Sequence, residues 1–244
     1  MNYIKALVSI VTVVYNGEDV LENTIKSIVN QSFCNYEYIV IDGGSNDNTI
    51  NIIKNYNDVI DYWISEPDNG IYDGMNKAIL LAKGEWVIFM NAGDCFVNKM
   101  VLRDVFDDKS YFGLDVIYGN TRVRNKDITI LKIDNLNKYY FYFDTICHQS
   151  IFFRTKLFSE IGLYNTSYKI LADREWLLRY SKNKNNRFKY VDVDICDWDS
   201  VGYTSNNRDI YEKECSAIRY CYTPLDLFVL LLIRLYKKIK LLSF

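Results

Sequence analysis

Residues 7–31 read LVSIVTVVYNGEDVLENTIKSIVNQ, and two different periodicities follow each other within this stretch. Residues 7–14 are nearly all apolar and mostly β-branched, and a short polar turn ends the run, which is typical of a buried strand. Apolar residues then recur at helical spacing at Leu21, Ile25 and Ile28. A buried strand followed by an amphipathic helix is the repeating unit of an α/β sheet.

The alternation of strand and helix continues through the first half of the chain. The same patterns predict strand 36–41, helix 48–56, strand 59–65, helix 70–83 and strand 86–90. Strands alternating with helices form a mostly parallel sheet, and such sheets bind ligands at the carboxyl ends of their strands. The turns after the first, second and fourth strands (VVYNG, DGGSND and NAGD) should therefore meet at one edge.

The second half of the chain is less regular. It contains predicted strands at 116–124, 128–133, 150–154 and 188–195 and a helix at 173–180, and the first two strands form a hairpin that turns at 125–127. We expect one Rossmann-like α/β domain at residues 1–205, with a regular half at about 1–115 and an irregular half at about 116–205. A C-terminal helical tail follows at 206–244.

The tail combines an apolar run with basic residues. Residues 227–233 are apolar, too few to cross a bilayer, and Arg234, Lys237, Lys238 and Lys240 follow, mostly toward one side of a helix. This composition fits an amphipathic helix in a membrane interface. A terminal helix docked on the domain, with a solvated basic face, is the alternative.

Composition limits the possible functions. The net charge of −2 over 244 residues gives no general attraction to nucleic acid, so an anionic ligand must be met by local groups. The six cysteines form no CxxC pair, which argues against structural zinc and indicates free thiols in a reducing cytosol.

Five segments, taken in order, resemble the family 2 glycosyltransferases with the GT-A fold. They are SIVTVVYNGEDVLENTIKSIVNQSF, YIVIDGGSNDNT, SEPDNGIYDGMNKAILLAKGEW, FMNAGD and LADREWLLR, spread over about residues 6–200. The closest likeness is to bacterial enzymes that build O-antigen and capsular polysaccharide. A dinucleotide-binding oxidoreductase is excluded, because the turn after the first strand has one glycine instead of GxGxxG.

The resemblance implies an inverting transferase that moves a sugar from a nucleotide-diphosphate sugar to a hydroxyl of a polyprenyl-linked glycan. It implies a cytoplasmic protein that is peripheral at the inner face of the membrane, where the regular half binds the nucleotide and the irregular half binds the acceptor. The alternative is a non-catalytic member of the same fold that binds nucleotide sugar as a partner in a synthesis complex.

Asp94 is the predicted ligand of a divalent cation, Mn²⁺ or Mg²⁺. A sugar nucleotide brings a diphosphate, and hard cations prefer carboxylate and phosphate oxygens. By resemblance Asp94 matches the final aspartate of the family's metal motif, although many members carry a second aspartate where this chain has Gly93. The alternative is that Asp94 caps a helix beginning near residue 98.

Eight residues are predicted by resemblance to bind the nucleotide sugar: Thr12, Tyr15, Asn16, Asp42, Asp73, Asn76, Lys77 and Asn91. Tyr15 could stack on the base, and core packing is the alternative. Lys77 could reach a phosphate, or it forms an exposed ion pair with Asp73 four residues earlier. Asp42 could face the base or ribose, or it is a turn residue. Many relatives have an aspartate in place of Gly43 that reads uracil, so the identity of the base stays open.

Asp173 is the predicted catalytic base. A carboxylate suits this role because it takes the proton as the acceptor hydroxyl attacks, and by resemblance Asp173 keeps the family's base position. Helix capping is the alternative. Glu175 is two residues further on and should point elsewhere. His148 is the only histidine, and it is either structural or close to the diphosphate and metal.

Overall fold

The computed structural model describes residues 6–124, 129–130, 136, 139–183, 185–199, 207–220, 229, 231–233 and 235–236. The strands are β1 (Val8–Val14), β2 (Tyr36–Asp42), β3 (Tyr62–Ser65), β4 (Trp86–Phe89), β5 (Cys95–Phe96), β6 (Val116–Arg124), β7 (Thr129–Ile130), β8 (Ile151–Arg154) and β9 (Phe188–Asp199). The helices are α1 (Leu21–Val29), α2 (Thr49–Asn55), α3 (Ile71–Leu81), α4 (Val101–Phe106), α5 (Leu157–Ile161), α6 (Ala172–Ser181) and α7 (Arg208–Tyr220). Short 3-10 turns occur at Tyr140–Tyr142 and His148–Ser150.

The described strands form one sheet in the order β3-β2-β1-β4-β8-β6-β9-β5, with β7 paired to β6. β1 runs parallel to β2 and β4, and β2 runs parallel to β3, which confirms the parallel sheet predicted for the first half. In the second half, β8 runs antiparallel to both β4 and β6, so this part of the sheet is mixed. The carboxyl ends of β1, β2 and β4 therefore lie at the same edge.

β1 lies in the middle of the parallel strands, and every residue in it is buried because helices cover both faces. Val8 and Ile10 pack in a cluster with α1, whereas Val11 and Val13 pack on the other face with α3. Side chains alternate between the two faces of a strand, and each large aliphatic side chain removed from water contributes about 1.5–3 kcal/mol. The two clusters pack α1 and α3 against opposite faces of the sheet, beside the edge at which β1, β2 and β4 end.

The hairpin predicted in the second half is present where the chain is described. Thr121 pairs with Ile130 and Arg122 pairs with Thr129 in antiparallel register. The predicted turn at 125–127 lies outside the described residues, as does most of the predicted strand 128–133. β5 and α5 were not predicted, because both are too short to show a periodicity.

Helix α7 lies beyond the boundary predicted at residue 205 and packs onto the domain. Its Cys215 and Ile218 are buried in the core cluster that also contains residues of α6. Most of the chain after α7 lies outside the described residues, and the described Leu231 and Leu235 are 56% and 60% exposed. Within the described part of the chain, no helix is long and apolar enough to cross a membrane.

Candidate active site

The turns after β1, β2 and β4 are joined by hydrogen bonds at one edge of the sheet. The backbone N–H of Val13 donates to Asn91 Oδ1 (3.3 Å), which connects β1 to the turn after β4. The backbone N–H of Asn16 donates to Ser45 Oγ (2.7 Å), and the N–H of Asn46 donates to Asn16 Oδ1 (3.0 Å). The expected meeting of the three turns is therefore present in the structure.

A cavity of about 500 Å³ opens beside these turns. This volume lies in the range of small-molecule and cofactor sites. The lining includes the predicted residues Tyr15, Asn16, Asp73, Asn91 and His148, together with Asp68, Tyr72 and Lys169. The Tyr15 side chain is 63% exposed, so it is available for stacking and does not belong to the core.

Thr12 and Asp42 are fully buried outside the cavity lining, and they hold the turns together. The Thr12 hydroxyl donates to the carbonyl of Met90 (2.7 Å), which ties β1 to β4. The fully buried Asp42 carboxylate accepts hydrogen bonds from the backbone of the following turn, from the Ser45 hydroxyl and from the Ser65 hydroxyl (2.7 Å). Both oxygens of Asp42 are thus occupied by the turn that it begins.

Two predicted residues of α3 bind neighbouring loops. Lys77 pairs with Glu66 (2.8 Å) instead of the alternative partner Asp73, and the hydrogen bond to Glu66 raises the pKa of Lys77. The Asn76 side chain donates to the carbonyl of Tyr164 and accepts from its N–H (2.9 and 3.0 Å). α3 is thereby fixed to the loop after β3 and to the segment after α5.

Asp94 is buried, with 8% of its surface exposed, and it lies two residues after Ala92, which lines the cavity. Its Oδ2 accepts a hydrogen bond from Gln149 Nε2 (3.1 Å), and its backbone N–H donates to the carbonyl of Asn91 (2.9 Å). Helix α4 begins at Val101 with Met100 as N-cap and has no side-chain cap. The alternative reading of Asp94 as a helix cap is therefore wrong.

Asp173 lies in the first turn of α6, where Leu171 and not Asp173 is the N-cap. Its Oδ1 accepts from the backbone N–H of Arg174 (2.7 Å) and lies 3.1 Å from the Tyr72 hydroxyl. Its Oδ2 lies 3.4 Å from His148 Nδ1. Burial and the charge of Asp173 raise the pKa of Tyr72, so this hydroxyl stays protonated and can donate.

His148 connects the turn after β4 to Asp173. The backbone N–H of Val13 can only donate, so the atom of the Asn91 amide that faces it must be the oxygen Oδ1. The other amide atom, Nδ2, therefore faces His148 Nε2 at 3.0 Å. Nε2 must then accept, which places the proton of the neutral ring on Nδ1, toward Asp173. The chain Asn91–His148–Asp173 thus spans from β4 to α6, and the lone histidine belongs to the site.

The carboxylates of Asp94 and Asp173 both act on Cys147, which immediately precedes His148. Desolvation raises the pKa of the Cys147 thiol to about 11, and the negative charges of Asp173 and Asp94 act in the same direction. A thiol with this pKa stays protonated near neutral pH and is a poor nucleophile. The carboxylates of Asp94 and Asp173 therefore both lie near Cys147, close to the cavity.

Glu175 points away from this network, as expected. Both of its oxygens lie 3.0 Å from Arg179 Nε, one helical turn further along α6. Arg179 also donates to the carbonyls of Ile161 and Leu163. Glu175 therefore helps to fix α6 against the segment around α5.

Sequence reasoning missed Glu214, which binds the backbone leading into α6. Its carboxylate accepts from the N–H groups of Lys169, Ile170 and Leu171. The sequence contains a signal that Glu214 is unusual. It lies on the buried side of α7, with an apolar residue one helical turn before it and another one turn after it, and a charged residue is unexpected there. Asp68, on the cavity wall, belongs to the segment DNGIYDGMNK that by resemblance closes over the nucleotide, but it was not among the predicted site residues.

Comparison with known proteins identifies the class to which this sheet and site belong. Residues 9–161 match the sequence model of the family described as Glycosyl transferase family 2, so the chain belongs to this family and is a glycosyltransferase of glycan biosynthesis. A PGL/p-HBAD biosynthesis glycosyltransferase of Mycobacterium bovis is 30% identical over 213 residues, which cover 84% of this chain and 81% of the relative. A putative teichuronic acid biosynthesis glycosyltransferase of Bacillus subtilis, TuaG, is 34% identical over 93 residues, 37% of each chain.

Solved structures confirm the GT-A fold. S. aureus TarS 1-349 in complex with UDP-GlcNAc superposes with a TM-score of 0.69 at 21% identity over 84% of this chain, which spans 63% of that protein. The mannosyltransferase PcManGT from Pyrobaculum calidifontis, in complex with GDP-Man and Mn²⁺, has a TM-score of 0.67 at 16% identity. That match covers 96% of this chain and 70% of the mannosyltransferase.

Proposed function

We propose that the protein transfers a sugar from a nucleotide-diphosphate sugar to a hydroxyl of a glycan acceptor, with inversion, and that Asp173 is the base. The observation that carries this proposal is the chain Asn91–His148–Asp173, because it fixes a carboxylate beside a cavity at the carboxyl edge of the sheet. Two solved structures with the same fold are complexes with the nucleotide sugars UDP-GlcNAc and GDP-Man, which supports a donor of this class.

Asp173 acts through Oδ2. Oδ1 already accepts the N–H of Arg174, whereas Oδ2 has the longer contact with His148 among the described residues. The acceptor hydroxyl gives its proton to Oδ2 while its oxygen forms a bond to the anomeric carbon. The bond from that carbon to the diphosphate oxygen breaks, and the electron pair leaves with the nucleoside diphosphate. One displacement from the opposite face inverts the anomeric configuration.

Asp94 is the proposed ligand of a divalent cation, Mn²⁺ or Mg²⁺. A hard cation held by this single carboxylate would take its other oxygen ligands from the phosphates of the donor and from water. When bound, such a cation neutralises the charge that develops on the leaving diphosphate. The protein's own contribution is a buried carboxylate oriented by Gln149.

The predicted nucleotide-binding residues divide into two groups. Tyr15, Asn16, Asp73 and Asn91 line the cavity, and we propose that they contact the nucleotide sugar. Thr12, Asp42, Asn76 and Lys77 form the hydrogen bonds and the ion pair that hold the walls in place. We propose that this second group acts on the donor indirectly.

The proposed acceptor is a polyprenyl-linked glycan of O-antigen or capsule type at the inner face of the cytoplasmic membrane. Support comes from the tail, where Leu231 and Leu235 are exposed beside a run of basic residues. Apolar side chains flanked by lysines bind the interface of anionic bilayers. The protein is therefore proposed to be cytoplasmic and peripheral.

A panel of nucleotide sugars with Mn²⁺ or Mg²⁺ tests the function. A true donor should raise the melting temperature by mass action and should release nucleoside diphosphate slowly into water. Asp94→Ala should abolish the release, whereas Asp104→Ala, an exposed carboxylate of α4, should not. If no nucleotide sugar stabilises the wild type, the proposal is wrong. If one binds and neither water nor any acceptor takes the sugar, the chain is a non-catalytic binding protein.

A further inference from the structure

We propose that Asp68 selects the nucleoside part of the donor by accepting a hydrogen bond from a base N–H or a ribose hydroxyl. This inference rests on the proposed function, because it assigns a role within the donor site. Asp68 lies in the loop between β3 and α3 and lines the same cavity as Tyr15.

The loop that carries Asp68 is held tightly against the turn after β2. The backbone N–H of Glu66 donates to the carbonyl of Asp42 (3.0 Å). A Cβ at Gly44 would lie 3.2 Å from the backbone nitrogen of Pro67, so the two segments are in close contact. The position of Asp68 is therefore determined by the backbone on either side of it.

The Asp68 carboxylate occupies a space that two glycines leave open. A Cβ at Gly43 would lie only 2.7 Å from Asp68 Oδ2, and a Cβ at Gly74 would lie 3.3 Å from the same atom. Oδ1 accepts the N–H of Gly70 (2.9 Å), which fixes the rotation of the carboxylate. Among the described residues no hydrogen-bond donor contacts Oδ2, and the Asp68 side chain lines the cavity, so the carboxylate has unused accepting capacity there.

The position of Asp68 in the sheet favours the nucleoside over the sugar. Two side chains of the network proposed for the reaction mark its place in the sheet: Asn91 follows β4, and His148 precedes β8. Gly43, against which Asp68 rests, follows β2, and β1 separates β2 from β4. Adjacent strands are about 4.8 Å apart, so the two ends of the site are separated by roughly 10 Å, about the reach of a diphosphate.

The chemistry of a carboxylate restricts what it recognises. An ionised carboxylate only accepts hydrogen bonds, so it attracts N–H and O–H groups and repels the phosphate oxygens. The nucleoside offers such donors at the base edge of uracil, thymine or guanine and at the ribose hydroxyls. Asp68 should therefore add affinity for the nucleoside and none for the diphosphate.

Titration calorimetry with uridine, thymidine and guanosine diphosphates in Mg²⁺ identifies the preferred nucleoside and tests the proposal. Asp68→Asn should weaken that ligand about tenfold or more, since a hydrogen bond to a charged group is lost, and should leave pyrophosphate binding unchanged. Asp58→Asn, an exposed carboxylate before β3, is the matched control and should bind as the wild type does.

Ligand analogues distinguish the base from the ribose. A base methylated at its N–H, or a ribose without its 2′-hydroxyl, should bind the wild type more weakly, and Asp68→Asn should no longer distinguish the affected analogue from the parent. The double variant Gly43→Asp/Asp68→Gly should regain part of the lost affinity, because it moves the carboxylate to the neighbouring backbone. This variant also tests the proposal if a single variant folds poorly.

The outcomes separate the two proposals. If the wild type binds a nucleoside diphosphate and Asp68→Asn binds it equally well, or loses pyrophosphate to the same extent, the role of Asp68 is refuted and the proposed function stands. If the wild type binds none of the nucleoside diphosphates, the proposed function fails and the role of Asp68 fails with it.

Discussion

Glu214 connects the C-terminal helix to the active site, and its substitution has an effect that can be worked out from the structure. Its Oε2 accepts from the backbone N–H groups of Ile170 (3.0 Å) and Leu171 (2.9 Å), and its Oε1 accepts from Lys169. Leu171 is the N-cap of α6, so one buried carboxylate holds the segment that leads to Asp173. We predict that Glu214→Gln destabilises the protein and lowers the transfer rate.

The magnitude follows from what glutamine can replace. Glutamine has the same shape as glutamate but only one side-chain oxygen. If this oxygen keeps the hydrogen bonds to Ile170 and Leu171, the NH₂ group faces the N–H of Lys169, and neither of these two donors can accept. A hydrogen bond to a charged group contributes about 1.5–3 kcal/mol, and a buried donor left without an acceptor costs about 1–3 kcal/mol. We expect the free energy of unfolding to fall by about 2–4 kcal/mol, which lowers the melting temperature by about 5–15 °C for a chain of this length.

Thermal unfolding followed by circular dichroism measures this loss, with Glu212→Gln as the matched control. Glu212 lies on the same helix in an exposed pair with Arg208, and such pairs contribute about 0.5 kcal/mol or less. If Glu214→Gln melts together with the control, the carboxylate does not hold the segment before α6. If it melts lower but transfers sugar at the wild-type rate, α7 stabilises the fold without supporting the base.

The remaining predictions address the base, the histidine and the tail. Asp173→Asn should retain donor binding by calorimetry and lose transfer by about 10²–10⁴-fold, because an amide cannot take the proton; an equal rate in mutant and wild type would remove Asp173 as the base. His148→Phe should lower kcat by about tenfold to hundredfold with little change in donor affinity, since the carboxylate loses the ring N–H that orients it; a loss confined to donor affinity contradicts this role. Truncation after Tyr222 should abolish sedimentation with anionic vesicles and leave α7 folded, whereas a truncated protein that still sediments shows that the tail is not the membrane contact.

The fold of the first half could be predicted because its signals are local. Residues of β1 and β4 and the last five residues of β2 are buried, so these strands contain mostly apolar runs, and α1 and α3 show helical spacing. The meeting of three turns then followed from the topology of a parallel sheet. Asp173 and Asp94 were predicted by resemblance to family motifs, and the hydrogen bonds around both carboxylates were not predictable.

The contacts of individual side chains could not be predicted because their partners are distant or compete with one another. Lys77 has Asp73 one helical turn away, but Glu66 lies closer in space, so the pattern of i and i+4 charges was misleading. Glu214 binds Lys169, which is 45 residues earlier in the chain. Such pairings are determined by tertiary packing: the sequence can mark Glu214 as unusual, but it contains no local signal that names its partner.

Two glycines replace the aspartates that the resemblance to family 2 leads one to expect, and the structure gives each replacement a different physical cause. Gly93 has φ = +100°, a backbone conformation that side chains rarely adopt, and a Cβ there would meet nothing closer than 3.9 Å. An aspartate at 93 is therefore disfavoured by its own backbone, at a cost of about 1–3 kcal/mol. Gly43 lies outside the positive-φ region, so its backbone admits a side chain, and the three atoms nearest to a Cβ there all belong to Asp68. A carboxylate can thus be moved to 43 when Asp68 is removed, whereas a second carboxylate beside Asp94 requires a change in the turn itself.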